Sequence, residues 1–129
     1  MSFLKNMFSG SDEKDSNESK VKWTNLTDLG QLNEIISISN DKPVAIFKHS
    51  TRCSVSRMAL KQFENEFTSS NKVTPYFLDL IAYRDVSNEI ASRFGVIHQS
   101  PQLILIKEGK AIYTVSHSDI DAQELVTKV

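Results

Sequence analysis

Four apolar residues in unbroken succession, Val44-Ala45-Ile46-Phe47, constrain the fold of this chain more than any other stretch. A strand with one wet face alternates apolar and polar residues, whereas an unalternated run fits a strand covered on both faces. Pro43 opens this run, and Gln102-Leu103-Ile104-Leu105-Ile106-Lys107 repeats its character. A sheet built on such strands has to be covered from above and below.

The segments between the runs supply the cover. Asp28 and Gln31 make a capping box ahead of a helix that buries Leu29, Leu32, Ile35 and Ile36. After His49-Ser50-Thr51-Arg52 a second helix carries Ala59, Leu60, Phe63 and Phe67 on one stripe. Asp85 or Ser87 caps a third, with Val86, Ile90, Ala91 and Phe94 inside and Gly95 as its stop. Ser118 caps the last, whose inner side is Ile120, Ala122, Leu125, Val126 and Val129. Val21-Lys22-Trp23 and residues 73–80 read as further strands, the latter with Pro75 near its start, where a missing donor is tolerable. Glu108-Gly109-Lys110 turns the chain into a hairpin partner at residues 111–115. The order is β-α-β-α-β-α-β-β-α. Strand-helix-strand units give a parallel core with right-handed crossovers, and the hairpin adds an antiparallel pair. The expected fold is α/β, a three-layer sandwich of a mixed β-sheet with helices on both faces.

At 129 residues the chain holds one domain, large enough to need neither disulfide nor structural metal. Residues 1–20 differ from the rest. Phe3, Leu4, Met7 and Phe8 precede a wholly polar stretch from Ser9 to Lys20, read as a flexible N-terminal extension ahead of a domain at 21–129. The apolar start is too short to cross a membrane. With 15 basic against 16 acidic residues, the net charge of −1 exerts no general pull on nucleic acid or membrane. No glycine-rich phosphate loop is present, and the aromatics Phe47, Phe63, Phe67, Phe77 and Phe94 read as core.

One cysteine, Cys53, excludes an internal disulfide, a CxxC pair and a cysteine-built zinc site, and fits a reducing cytoplasm. It falls where a buried strand hands over to a helix. Sites in α/β sheets form beyond the carboxyl ends of strands, and the unpaired amides of a helix N-terminus favour an anionic sulfur. Ser56, three residues on, is placed to bring a hydroxyl toward that sulfur. Between residues 41 and 61 stand Lys42, Lys48, Arg52, Arg57 and Lys61 against Asp41 alone, a local net of +4. That excess stabilises a thiolate and attracts a small carboxylate-bearing thiol. Ser100-Pro101, opening the strand at 102–107, is where a cis peptide could face the cysteine. His49, His98 and His117 read as exposed structural histidines, and three isolated histidines with one cysteine make no metal site.

This element order, with Cys53 at the strand-to-helix turn and Pro101 before the hairpin, resembles the thioredoxin fold over residues 21–129. More narrowly, Phe47-Lys48-His49-Ser50-Thr51-Arg52-Cys53-Ser54-Val55-Ser56 resembles the monothiol bacilliredoxins. So do Leu78-Asp79-Leu80-Ile81, Arg84-Asp85-Val86-Ser87-Asn88 and His98-Gln99-Ser100-Pro101-Gln102. The usual motif of that family is Cys-Pro-Ile-Ser; here Ser54 and Val55 occupy its middle.

The resemblance implies a cytoplasmic thiol-disulfide oxidoreductase that removes bacillithiol from client proteins through Cys53. Bacillithiol would be its co-substrate, no cofactor would be tightly bound, and bacillithiolated proteins would be its partners. Arg52, Ser54, Arg57 and Lys48 become candidates to hold bacillithiol, with Ser100 and Pro101 as the opposite wall. The chain would act as a monomer or a weak homodimer. Two other readings stay open: a thioredoxin-like binding module with an inert cysteine, and a monothiol glutaredoxin-like iron–sulfur carrier, whose family resembles Cys-Gly-Phe-Ser instead.

Overall fold

The computed structural model describes residues 21–69 and 71–129. The extension read at residues 1–20 lies outside the described residues. In chain order the elements are β1 (Thr24–Asn25), α1 (Gly30–Ile38), β2 (Val44–His49), α2 (Ser54–Glu66) and β3 (Thr74–Asp79). There follow α3 (Arg84–Phe94), β4 (Gln102–Lys107), β5 (Lys110–Ser116), a 3-10 turn (His117–Asp119) and α4 (Ala122–Val126). The strands form one sheet in the order β1-β3-β2-β4-β5. β1 and β2 run parallel to β3, whereas β4 is antiparallel to both β2 and β5.

The pleat sorts consecutive residues to opposite sides, which is why the unalternated runs are needed. Ala45 and Phe47 from β2 join Leu103 and Leu105 from β4 beneath Ala59 and Phe63 of α2 and Ala122 and Leu125 of α4. Val44 and Ile46 join Ile104 and Ile106 against Leu32 and Ile35 of α1 and Val86 and Ile90 of α3. The helices therefore alternate between faces along the chain, and β2 is buried along its whole length. Among the described residues no helix is long and apolar enough to cross a membrane.

The ends of several elements differ from the expectation. The first strand is Thr24–Asn25 rather than 21–23, because Val21 and Trp23 act as side-chain packing before the chain reaches the sheet. The Trp23 indole stacks on Phe63 at 5.8 Å and donates Nε1–H to Glu64 Oε2 at 2.7 Å. The Asp28–Gln31 capping box is present: Gln31 N donates to Asp28 Oδ1 and Asp28 N to Gln31 Oε1, both at 3.1 Å. Leu29, however, is 43% exposed and lies off the buried stripe. Neither Asp85 nor Ser87 caps α3, which starts without a side-chain cap. The turn before it is held instead by Asp79 Oδ1, which accepts from the amides of Ile81 and Ala82. Gly95 ends α3 at φ 66°, a left-handed conformation that glycine takes without a Cβ penalty. Ser118 lies in the 3-10 turn, and the cap of α4 is Asp121, whose Oδ1 accepts from Gln123 N and Glu124 N. An ionised carboxylate facing two bare amides outcompetes a hydroxyl. Val129 is exposed past the end of α4.

Candidate active site

β2 delivers its last residue, His49, to the carboxyl edge of the sheet, and a four-residue turn leads into α2. Cys53 is the residue just before the helix, with extended backbone angles of φ −113° and ψ 121°. Its amide donates to Ser50 O at 3.2 Å, closing the turn, and its carbonyl accepts from Arg57 N at 3.1 Å, opening the helix. The backbone thus fixes Cys53 at both ends and leaves the side chain out of the hydrogen bonding. The thiol is free and half-buried. It borders the first turn of a 13-residue helix, where amides without intrahelical partners and the helix dipole favour negative charge.

Beneath the sulfur the arrangement differs from the expectation. Ser56 is fully buried, and its hydroxyl is taken by the site's floor rather than by the sulfur. Ser50 N donates to Ser56 Oγ at 3.0 Å, and Ser56 Oγ lies 2.8 Å from His49 Nδ1. His49 is buried, not exposed, with its ring 5.5 Å from that of Phe77. Burial is the main cause holding its pKa below the ordinary value. Arg57 adds to the lowering, while Asp79, Glu64 and the Ser56 contact oppose it. A neutral imidazole can take the Ser56 O–H on Nδ1 or give it an N–H. In either form it clamps the start of α2 to the end of β2.

Around the sulfur, Arg52, Ser54 and Arg57 are exposed, as expected of residues that meet a ligand. Arg57 Nη1 also donates to Thr51 O at 3.2 Å, which folds the guanidinium back over the turn. Lys48 departs from this group. The pleat points it to the opposite face, where it is completely buried and its Nζ donates to His98 Nδ1 at 2.8 Å. Burial, aided by Arg84, lowers its pKa to about 8. The exposed positive patch therefore consists of Arg52, Arg57 and Lys61, without Lys48 and without Lys42, which is half-buried ahead of β2 at the end of that strand away from Cys53. His98 is exposed as expected, but its ring is engaged by Lys48.

The Ser100-Pro101 peptide is cis. β4 pairs with β2 up to Lys48–Gln102, and continuing that register by one residue carries Pro101 across from His49. Pro101 O accepts from His117 N at 3.0 Å, and Ser100 Oγ is buried without a hydrogen-bond partner. The sequence reading missed an apolar groove of about 240 Å³ beside α2, lined by Val55, Met58, Gln62, His117, Ser118 and Ile120. Val55, Met58 and Gln62 recur at three- and four-residue intervals, a second stripe that could have revealed it. Among the described residues no group of three or more His, Cys, Asp or Glu side chains could hold a metal.

Over residues 24–125 the sequence matches the family of the monothiol bacilliredoxin BrxC. The chain belongs to that family. Solved structures agree on the fold. A proposed oxidoreductase with a thioredoxin fold is 30% identical, with a TM-score of 0.69 over 81% of this chain and 90% of its own. The thioredoxin of Malassezia sympodialis, Mala s 13, is 24% identical with a TM-score of 0.64, covering 85% and 90% of the two chains. Mitochondrial thioredoxin 3 of Saccharomyces cerevisiae is 18% identical with a TM-score of 0.63, covering 81% and 91%. As a bacilliredoxin family member with the thioredoxin fold, the chain is an oxidoreductase of thiols and disulfides. Cys53 is the one thiol in the sequence for that chemistry. Ser56, three residues after Cys53, is the residue that ties the helix to His49.

Proposed function

We propose that this bacilliredoxin removes bacillithiol from mixed disulfides on client proteins, with Cys53 as nucleophile. The Cys53 thiolate attacks the bacillithiol sulfur, the client thiolate leaves and takes a proton, and Cys53 carries the bacillithiol. The thiolate of a second bacillithiol attacks that adduct at the bacillithiol sulfur, releasing Cys53 and forming bacillithiol disulfide. The client cysteine is reduced, one free bacillithiol is oxidised, the other bacillithiol passes from the mixed disulfide into bacillithiol disulfide at the same oxidation level, and the protein returns unchanged. One protein thiol suffices because the small thiol resolves the adduct.

The observation that carries this reading is the free, half-buried thiol of Cys53 at the first turn of α2, in a chain without another cysteine. Arg52 and Arg57 are the exposed cations to meet the carboxylates of bacillithiol, and Ser54 takes the outer side of the sulfur. Ser100 and Pro101 form the opposing wall. Ser56 acts through position, by fixing the helix start, rather than by touching the sulfur. Incubation with bacillithiol disulfide followed by intact mass analysis tests the scheme. One bacillithiol adduct on the native protein, absent from Cys53→Ala, is expected. An unmodified native protein, or an adduct that Cys53→Ala retains, would overturn it.

A further inference from the structure

The other side of the sheet holds a second cluster that this reaction leaves unused. We propose that Lys48, Arg84, Ser87 and His98 form a binding site for a carboxylate, and that this carboxylate belongs to the small thiol exchanged at Cys53. The second half of that statement rests on the function proposed above; the first does not.

Lys48 is 0% exposed, yet its ammonium has one hydrogen bond, to His98 Nδ1 at 2.8 Å. An ammonium carries three N–H donors, so two are unfilled. Burying a cation without an anion is costly, and no described carboxylate pairs with Lys48 or with Arg84. Arg84 opens α3 and is exposed, close enough to act on the charge of both Lys48 and His98. Ser87 Oγ is 3.5 Å from His98 Nδ1 and is itself buried. His98, accepting from Lys48 on Nδ1, keeps its Nε2–H as a further donor. Burial, then Lys48 and Arg84, hold its pKa below the ordinary value, so the ring is neutral and able to accept.

The cluster thus holds two cations and no anion, with donors still unfilled on Lys48 and His98; it is open to solvent at His98 and Arg84 and closed below by Lys48. The planar fork of a guanidinium matches a carboxylate with two parallel hydrogen bonds. Its position links it to the thiol. His98 stands two residues before Ser100, in the loop that ends at the Pro101 wall of the Cys53 site. On this proposal the loop leads one carboxylate of the small acidic thiol from the Cys53 site toward Lys48.

Succinate is the probe, read by the His98 ring and Lys48 Nζ signals in nitrogen-15 NMR of the intact protein. Saturable shifts are expected, with affinity about tenfold weaker in Arg84→Gln, in line with the loss of a bidentate charged pair. Neutral succinamide should cause none. Lys48→Met should abolish succinate binding while keeping the native circular dichroism. Equal affinity in Arg84→Gln, a response to succinamide, or shifts with inorganic phosphate alone would overturn the carboxylate site. In turnover, Arg84→Gln should raise the KM for bacillithiol about tenfold with kcat unchanged, by the same lost pair. An unchanged KM in a protein that binds succinate would separate the site from the thiol. Succinate binding in a protein whose Cys53 accepts no bacillithiol would overturn the proposed function and leave the anion site standing.

Discussion

His49 and Lys48 are neighbours in sequence and strangers in space. The pleat of β2 sends His49 under the catalytic helix and Lys48 to the layer of α1 and α3. Both are polar and buried at the same end of the sheet, yet they are handled differently. The imidazole is made neutral and nearly satisfied by Ser56, so it serves as a rigid clamp. The ammonium is left with unfilled donors beside a second cation. A buried group that is well partnered reads as architecture; one that is poorly partnered reads as a place where something else belongs.

The largest effect expected to sharpen this contrast is on the Lys48 side. Lowering a lysine from 10.5 to about 8 on folding means that the folded state disfavours its charged form. Below pH 8 both states are protonated and the full cost is present. Between pH 8 and 10.5 the unfolded chain holds the proton and the folded one does not, so stability rises with pH. At 1.36 kcal/mol per unit the rise is at most about 3 kcal/mol. Urea melts across that window should show it. Lys48→Met should flatten the curve and be more stable at pH 7. Near and above pH 10, Tyr76 and Tyr113 pull the other way, since burial raises both. A flat native curve would break the comparison.

On the His49 side, Ser56→Ala strips the partner from Ser50 N and from the imidazole. It should cost about 1–3 kcal/mol, the range for orphaned buried groups, and slow adduct formation at Cys53. Stability should also fall as pH drops below 6.5, because the unfolded chain protonates His49 and His98 before the folded one does. His49→Gln should weaken that acid-side dependence, read from urea melts between pH 7 and pH 5. The smallest effect is expected at the exposed rim: Arg57→Gln should raise the KM for bacillithiol about threefold, as a screened surface contact contributes under 1 kcal/mol.

The runs at 44–47 and 102–107 announced their strands because burial on both faces removes the need for alternation. β1 was hidden because two residues carry no period, and Val21 and Trp23 nearby are apolar for packing reasons. The place of Cys53 was legible, since a lone cysteine between a strand and a helix has few positions to occupy. The surroundings of Ser56 and Lys48 were not. Helical spacing puts Ser56 one turn from Cys53 but does not say that the His49 ring, from another element, reaches its hydroxyl first. A lysine closing an apolar run normally signals exit to water. Its burial here depends on α3 and the loop at 95–100, assembled from distant sequence.

The turn between β4 and β5 carries one more consequence. Glu108 and Gly109 both adopt positive φ there, and their amides donate to Ser39 O and Ser39 Oγ at 2.9 and 2.8 Å. Ser39 closes α1, so this clasp fastens the last hairpin to the first helix at the pole opposite the thiol. Among the described residues β5 is an edge strand with no partner along one side, the kind of border that invites pairing with a neighbouring chain. Peeling it off to swap partners would mean unbuttoning α1 as well, so the rim most exposed to aggregation is also sewn to the body of the protein.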